Sequence, residues 1–334
     1  MNDKLLALLE QFPEHEVAVI GDLVADQFIY GEAKRVSREA PVLIVEHEAD
    51  KIALGGGANC AHNVLALGGH PLVVGIIGDD LQGAQLLETL QERGIGTDFI
   101  LRDPSRDTTT KQRIVASGLH TTYQQLVRVD RGSRVPVSGD VEKKLLDLAD
   151  QTAGMSDIMV ASDYGYGVFS ESMITRMSAI AESDWIKVLV DSRYRALQFK
   201  GAHLLTPNEP EAGAACHMEI RTRQDVELVA ERLLHGANAE RVVITRGREG
   251  MYVRDANKGG EFIPIYGTDQ IADVTGAGDT VMAVFALAAA CKADLGVAVR
   301  LATVAAGLAV LKHGTATVTV DEIRTALEKH PWQE

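Results

Sequence analysis

From residue 141 onward, short apolar runs rich in β-branched residues alternate with helical periods, and that rhythm leaves few architectures open. The spacing predicts helices over 141–153, 171–182 and 225–235. It predicts strands over 158–162, 188–191, 203–206 and 242–245, then a β pair of 251–254 with 262–265. Strands separated by helices form βαβ units, so the sheet is largely parallel. Right-handed crossovers then set the strand C-termini along one edge, where open α/β sheets hold ligand groups. Polar residues follow those ends: Asp22 after the strand 17–20, then Asp163, Asp191, Asn208 and Thr245. No repeat, low-complexity tract or linker interrupts 1–334, which reads as one α/β domain.

The first 130 residues break the alternation. Residues 28–30 and 41–47 are β-rich around a polar knot from Lys34 to Glu39, with no helix between them. Residues 108–115 and 123–130, joined by a turn at 118–120, read as a hairpin. Together, about 28–48 and 108–130 form a small antiparallel sheet apart from the core, a lid. Lys111 and Arg113 occupy alternate positions and so share one face of a strand; Arg128 lies on the partner strand and Arg35 in the polar knot. These cations either face water or meet an anion. Between the lid halves, Gly55-Gly56-Gly57-Ala58-Asn59 enters a helix over 58–67. Glycines there permit close approach of a ligand to the backbone, and Asn59 offers both donor and acceptor. A strand at 72–77 and a helix at 81–93 follow.

The densest chemistry lies between Gln270 and Cys291. Asp273 precedes a turn through Thr275, Gly276, Ala277 and Gly278, and Asp279 opens a helix whose next ten residues carry no charge. The first N–H groups of a helix lack internal partners and favour negative charge. Asp279 is therefore either a cap or a base beside an anion. Asp22, with Asp26 four residues on, can bind sugar hydroxyls or cap turns. Asn208 and Glu211, three apart at a helix start, suit either Mg²⁺ held through its waters or a capping box. The turn Thr245-Arg246-Gly247 with Gly250 suits a flat base or ribose against backbone.

A formal charge of −14 argues against non-specific binding to nucleic acid or anionic membrane, and requires local cations for any phosphorylated ligand. No run of about 18 apolar residues is present, so no membrane span is expected. The first residues read as a short amphipathic helix and not a signal peptide. Cys60, Cys216 and Cys291 lie far apart in no ligand spacing, which points to a reducing cytoplasm. Gly-Lys never occurs, which excludes a P-loop, and neither HExxH nor GxSxG is present.

Taken in order, Gly55-Gly-Gly-Ala-Asn59, Asn208-x-x-Glu211, Thr245-Arg-Gly247 and Asp273-Val-Thr-Gly-Ala-Gly-Asp279 resemble the ribokinase-like (PfkB) family of carbohydrate kinases over essentially the whole chain. Within it, the stretches 35–42, 110–113, 125–128, 162–164, 205–208 and 314–317 are similar to the kinase part of enzymes that phosphorylate heptose 7-phosphate and then adenylylate heptose 1-phosphate. The chain departs from that branch at Tyr166, in a pattern that usually reads Asp-Tyr-x-Lys-Gly, and at Ser192-Arg193, where Pro-Lys is usual. The HxGH motif of the branch's second, nucleotidyl-transferring domain is also missing from these residues. A separate nucleotidyltransferase is then expected to act next.

The resemblance implies a three-layer α/β/α sandwich with a β lid that serves as a homodimer interface. ATP, Mg²⁺ and a monovalent cation such as K⁺ are the implied ligands beside the sugar. Asp279 would take the proton of the sugar hydroxyl, with the amides of Gly276, Ala277 and Gly278 stabilising the transferred group. Asp22, Asp26, Gly56, Gly57 and Asn59 would hold the sugar, with Lys111, Arg113, Arg128 and Arg35 on its own phosphate. Asp191, Asn208, Thr245, Gly247 and Gly250 would face the nucleotide. Asn208 and Glu211 would orient Mg²⁺, and Asp273 and Thr275 would lie beside the monovalent cation. Alternatives are a kinase of another sugar, such as fructose 1-phosphate, tagatose 6-phosphate, ribose or a nucleoside, or a non-catalytic sensor on the same fold.

Overall fold

The computed structural model describes residues 1–118, 123–267 and 272–332. The chain opens with α1 (Asn2–Leu9) and β1 (Glu16–Gly21), then β2 (Leu23–Val36), β3 (Leu43–Gly56), α2 (Gly57–Ala66), β4 (His70–Ile77), α3 (Leu81–Glu92), β5 (Ile100–Arg102), β6 (Thr110–Ser117) and β7 (Gln124–Arg131). Next come α4 (Gly139–Ala153), β8 (Ile158–Asp163), α5 (Glu171–Glu182), β9 (Lys187–Ser192), β10 (Leu204–Leu205), α6 (Glu209–Ala215), α7 (Arg223–Ala237) and β11 (Arg241–Thr245). The last part holds β12 (Met251–Asp255), β13 (Gly259–Ile263), α8 (Ala277–Ala290), α9 (Leu295–Ala309) and α10 (Val320–Lys329).

Among the described residues the central sheet runs β13-β12-β11-β10-β9-β8-β1-β4-β5. It is parallel from β11 to β5, and β12 and β13 are antiparallel additions. Alternation along each strand builds two cores. Val17, Val19, Ile158 and Val160 pack towards α2, α3, α8, α9 and α10, whereas Ala18, Ile20, Met159 and Ala161 pack towards α4, α5 and α7. α8 is buried without a break from Asp279 to Ala288, as its lack of charge predicted. Its first turn is thereby fixed by the core at the carboxyl edge of the sheet.

The lid is a second sheet of order β3-β2-β6-β7. It is larger than the expected 28–48 and 108–130, because β2 leaves β1 almost directly and pairs with β3 from Leu23 to Val36, taking in the start of the polar knot but not Ser37 to Glu39. Lys34 sits at a bulge of that ladder, its ammonium held to Glu46 at 2.6 Å, so the first residues of the expected knot belong to an exposed strand. The two hairpins join through parallel pairing of β2 with β6, which corrects the wholly antiparallel sheet. The expected strand 203–206 shrinks to Leu204–Leu205. Residues 119–120 of the expected turn, and Gln270 and Ile271 at the head of the Gly-rich stretch, lie outside the described residues. Among the described residues no helix is long and apolar enough to cross a membrane.

Candidate active site

Gly276 caps α8 with φ +81°, and a Cβ there would sit 2.8 Å from Asn59 Nδ2. Only glycine lets the turn pass so close to α2. Gly278 faces open space. Asp279 follows in the first turn, 3% exposed. Asn59 Nδ2 donates to its Oδ2 at 2.7 Å and the Tyr164 hydroxyl donates to its Oδ1 at 2.9 Å. Deeper in, Thr280 donates to Asn63 Oδ1 at 2.8 Å and Asn63 to the Asn59 carbonyl at 2.9 Å, locking α8 to α2. Burial pushes the Asp279 carboxyl up to about 6, against the lowering effect of Asn59, Tyr164 and Lys111. The group is ionised at neutral pH and loses its capacity as a base as pH falls through about 6.

Lys111 of β6 stands over the Tyr164 ring, close enough for its charge to act on Asp279 and Asp26. Its Nζ lies 5.3 Å from the centre of the Tyr164 ring, and the Arg193 guanidinium lies 4.5 Å from the same ring. Burial, with Arg193 and Arg113 nearby, holds the Lys111 ammonium below the usual lysine range despite Asp26 and Asp279. Across the site, burial first and then Glu211 and Asp279 push the Asp191 carboxyl well above its usual range. Asp191, Glu211 and Asp279 thus crowd one another, and Arg193 stands 4.0 Å from Glu211. Among the described residues no three carboxylate, thiol or imidazole side chains stand close enough together to form a metal site by themselves.

Several expected site residues carry other tasks. Asp22 is buried, and its carboxylate accepts from the N–H groups of Tyr164, Tyr166 and Val168 at 2.8, 3.0 and 3.1 Å. Its geometry is that of an anchor for the loop after β8, not of a free sugar ligand. Burial raises its carboxyl to about 6, partly offset by those donors. Asp26 Oδ1 takes Arg113 Nη1 at 2.5 Å in a buried pair, with the guanidinium 5.1 Å over the Phe28 ring. Arg128 stands opposite Arg113 in the ladder but forks onto Asp130 at 2.8 and 3.1 Å on the exposed strand β7. Arg35 is exposed near the distal end of β2, about 30 Å along the strand from Asp26. The expected cluster of four cations therefore reduces to Lys111, with Arg113 behind it.

Gly56 is forced by its φ of +57°, where a Cβ would meet the Asp22 carbonyl at 2.4 Å, and Gly57 N–H donates to that carbonyl at 3.0 Å. Asn208 and Glu211 form a reciprocal capping box at 2.9 and 3.0 Å, leaving Glu211 Oε1 turned towards Arg193. Thr245 bridges to Asn208 at the sheet edge. Gly247 borders open space, but Gly250 packs against the backbone of Ile263, where a Cβ would sit 2.0 Å from the carbonyl oxygen. Asp273 accepts from Thr275 N and Oγ1 at 2.9 and 2.7 Å and from Gly314 N at 3.0 Å, tying the Gly-rich turn to the stretch at 314.

The reading from sequence missed Tyr164 as a site residue, although it follows a strand end like the other candidates. Its position after Asp163 was the available signal.

Residues 14–322 match the sequence family described as pfkB family carbohydrate kinase. Over 310 residues the chain is 39% identical to the bifunctional protein HldE of Pelobacter propionicus, an alignment spanning 92% of this chain and 62% of that protein. The chain thus spans a little under two thirds of that relative's length. Phosphofructokinase-2 from Escherichia coli in complex with potassium shares the fold at a TM-score of 0.74 and 19% identity, over 94% of this chain and 98% of that one. Arabidopsis thaliana ribokinase complexed with ribose and ATP gives 0.72 and 18%, over 94% and 99%.

Proposed function

The chain belongs to the pfkB family of carbohydrate kinases, and from that premise we propose that it transfers the terminal phosphoryl group of ATP to the anomeric oxygen of D-glycero-D-manno-heptose 7-phosphate, giving the 1,7-bisphosphate. The observation that carries the reading is Asp279, buried at the head of α8 between Asn59 and Tyr164, with Lys111 over the Tyr164 ring beside it. The similarity to a bifunctional HldE supports heptose among the sugars.

Asp279 accepts the proton of the attacking hydroxyl, while Asn59 and Tyr164 fix which lone pair it presents. The N–H groups of Gly278 and Asp279 in the first turn of α8 would face the transferred group, while that of Ala277 is held by the Val274 carbonyl at 3.3 Å. Lys111 meets anionic charge on the sugar or on the group in flight. Asn208 and Glu211 would hold Mg²⁺ through water, and that ion would neutralise charge on the phosphates. Asp273 and Thr275 would lie beside a monovalent cation such as K⁺. Asp191, Thr245 and Gly247 line the nucleotide side of the edge.

ADP release measured across heptose 7-phosphate, fructose 1-phosphate, tagatose 6-phosphate, ribose and nucleosides tests the reading. Heptose 7-phosphate is expected to give the highest kcat/KM, and another sugar ahead of it by tenfold would displace it.

Glu211→Gln separates the metal role from the cap. Glutamine preserves a capping box, so the melting temperature should stay within about 2 °C of wild type. Loss of the charge should raise the Mg²⁺ concentration needed for half-maximal rate several-fold. Superimposable Mg²⁺ titrations would leave Glu211 as a cap only.

The lid also supports a homodimer. Its outer strand β7 is exposed throughout, with Leu126, Val127 and Val129 at 41, 46 and 40%, and Val36, Val42 and Leu43 are exposed at the far end of the β2–β3 ribbon. Apolar groups on an exposed edge are a pairing surface. Light scattering at micromolar concentration should give about twice the chain mass of 36.0 kDa, and a monomeric mass contradicts the dimer.

A further inference from the structure

We propose that Tyr164 is the positioning residue for Asp279, acting through its hydroxyl on the base and through its ring on the two cations beside it. The inference rests on the reading of Asp279 as the general base. Nothing in the motifs required it, because the glycine turn and Asn59 already account for where Asp279 stands.

Three contacts place Tyr164. Its N–H is held by Asp22 at 2.8 Å, in the same carboxylate that ties down Tyr166 and Val168. Its hydroxyl donates to Asp279 Oδ1 at 2.9 Å. Its ring carries Lys111 at 5.3 Å and Arg193 at 4.5 Å. Asp22 therefore acts on the base at one remove, which explains a buried carboxylate at the end of β1 that has no lone pair directed at a sugar. Burial, then the neighbouring carboxylates, keep the phenol well above its usual range, so it stays a donor at any working pH.

A phenol that donates to a carboxylate favours the ionised form and restricts its rotation. The other groups facing Asp279 are Asn59 and Cys60 of α2, Lys111 of β6, Asp26 of β2 and Asp191 of β9. Of these, Asn59 holds the opposite oxygen, Lys111 favours the ionised form, and Asp26 and Asp191 oppose it. Removing the phenol leaves Oδ1 without its donor against two carboxylates, so the proton is held more tightly. Like-charged Lys111 and Arg193 both stack on the one Tyr164 ring, whose electron-rich π system offsets part of their repulsion. That arrangement presents a double positive charge where an anionic substrate would come close to the base.

Tyr164→Phe removes the hydroxyl and keeps the ring; Tyr164→Leu removes both. With heptose 7-phosphate, the Phe variant should lose about tenfold in kcat, and the acidic limb of its kcat profile should move up by about one pH unit. Its KM values for sugar and ATP should stay within about twofold. The Leu variant should add a rise of about tenfold in KM for the phosphosugar. A merely structural tyrosine would leave the limb where it is. Titration of the ¹³C-labelled Asp279 carboxyl by NMR in the ligand-free protein gives a readout that needs no substrate: near 6 in wild type and higher in the Phe variant. Should that difference appear while no sugar is phosphorylated, Tyr164 still positions Asp279 and the kinase reading fails. A Phe variant with wild-type kcat and limb, or an unchanged carboxyl titration, overturns the proposal. An unchanged KM in the Leu variant overturns the role of the ring.

Discussion

Asp279→Asn lowers kcat by about 10²–10⁴-fold, the usual contribution of a positioned general base, while KM for ATP and sugar stays near wild type. The same substitution should raise the melting temperature. Burial lifts the Asp279 carboxyl from its unfolded value of 3.8 to about 6, so the folded chain holds that proton more tightly than the unfolded chain. Stability from this group is present below the unfolded value and is lost as pH rises through about 6. At pH 7.5 the native state therefore keeps a buried charge at a cost on the order of 1–3 kcal/mol. Asparagine removes the charge and can still accept from one of its two neighbours. A variant that is inactive and more stable separates a functional carboxylate from a structural cap, whose loss would lower both. Thermal melts at pH 5 and 7.5 check the sign: the gain should be the larger at 7.5. Turnover within a few-fold of wild type would remove Asp279 from the chemistry.

Lys111→Ala should cost about 1.5–3 kcal/mol in kcat/KM for a phosphosugar, roughly 10–150-fold, the range for a lost charged hydrogen bond. Lys111 is the lid cation that reaches the base without being spent on a structural pair. Arg113, its neighbour on the same face, is the contrasting case. It is 8% exposed and committed to Asp26, so Arg113→Ala strands a buried carboxylate and should destabilise the fold by about 3–5 kcal/mol. A lost rate in that variant would report a damaged lid. The two substitutions diverge in the melting curve: Lys111→Ala should melt close to wild type. Wild-type kcat/KM for the phosphosugar in folded Lys111→Ala would remove the lid from recognition of the anion.

The βαβ core was legible because a strand buried on both faces and an amphipathic helix leave different periodicities, and helix 171–182 matches α5 residue for residue. The lid was legible in kind but not in extent. The outer end of β2, with Lys34 and Arg35, carries little apolar signal and reads as a knot, and the half of β3 beyond residue 48 carries no strand pattern of its own. Short β5 and β10 owe their state to neighbours in the sheet and carry almost no local signature. At the site, the glycines and Asp279 were visible because backbone demands leave a mark in residue type. The division of labour among carboxylates was not, since Asp22, Asp26 and Asp279 all follow strand or loop ends and differ only in their partners. Asp22 faces three amides, Asp26 a guanidinium, and Asp279 an amide and a phenol. Those partners come from residues 87 to 220 positions away, beyond any window along the chain.

The most direct test is the ratio of kcat/KM for D-glycero-D-manno-heptose 7-phosphate to that for unphosphorylated heptose, measured with saturating ATP and Mg²⁺. In wild type the phosphorylated sugar should be preferred by about 10²-fold or more, and the ratio should fall about tenfold or more in Lys111→Ala. A ratio near one in wild type, unchanged by the substitution, would contradict it.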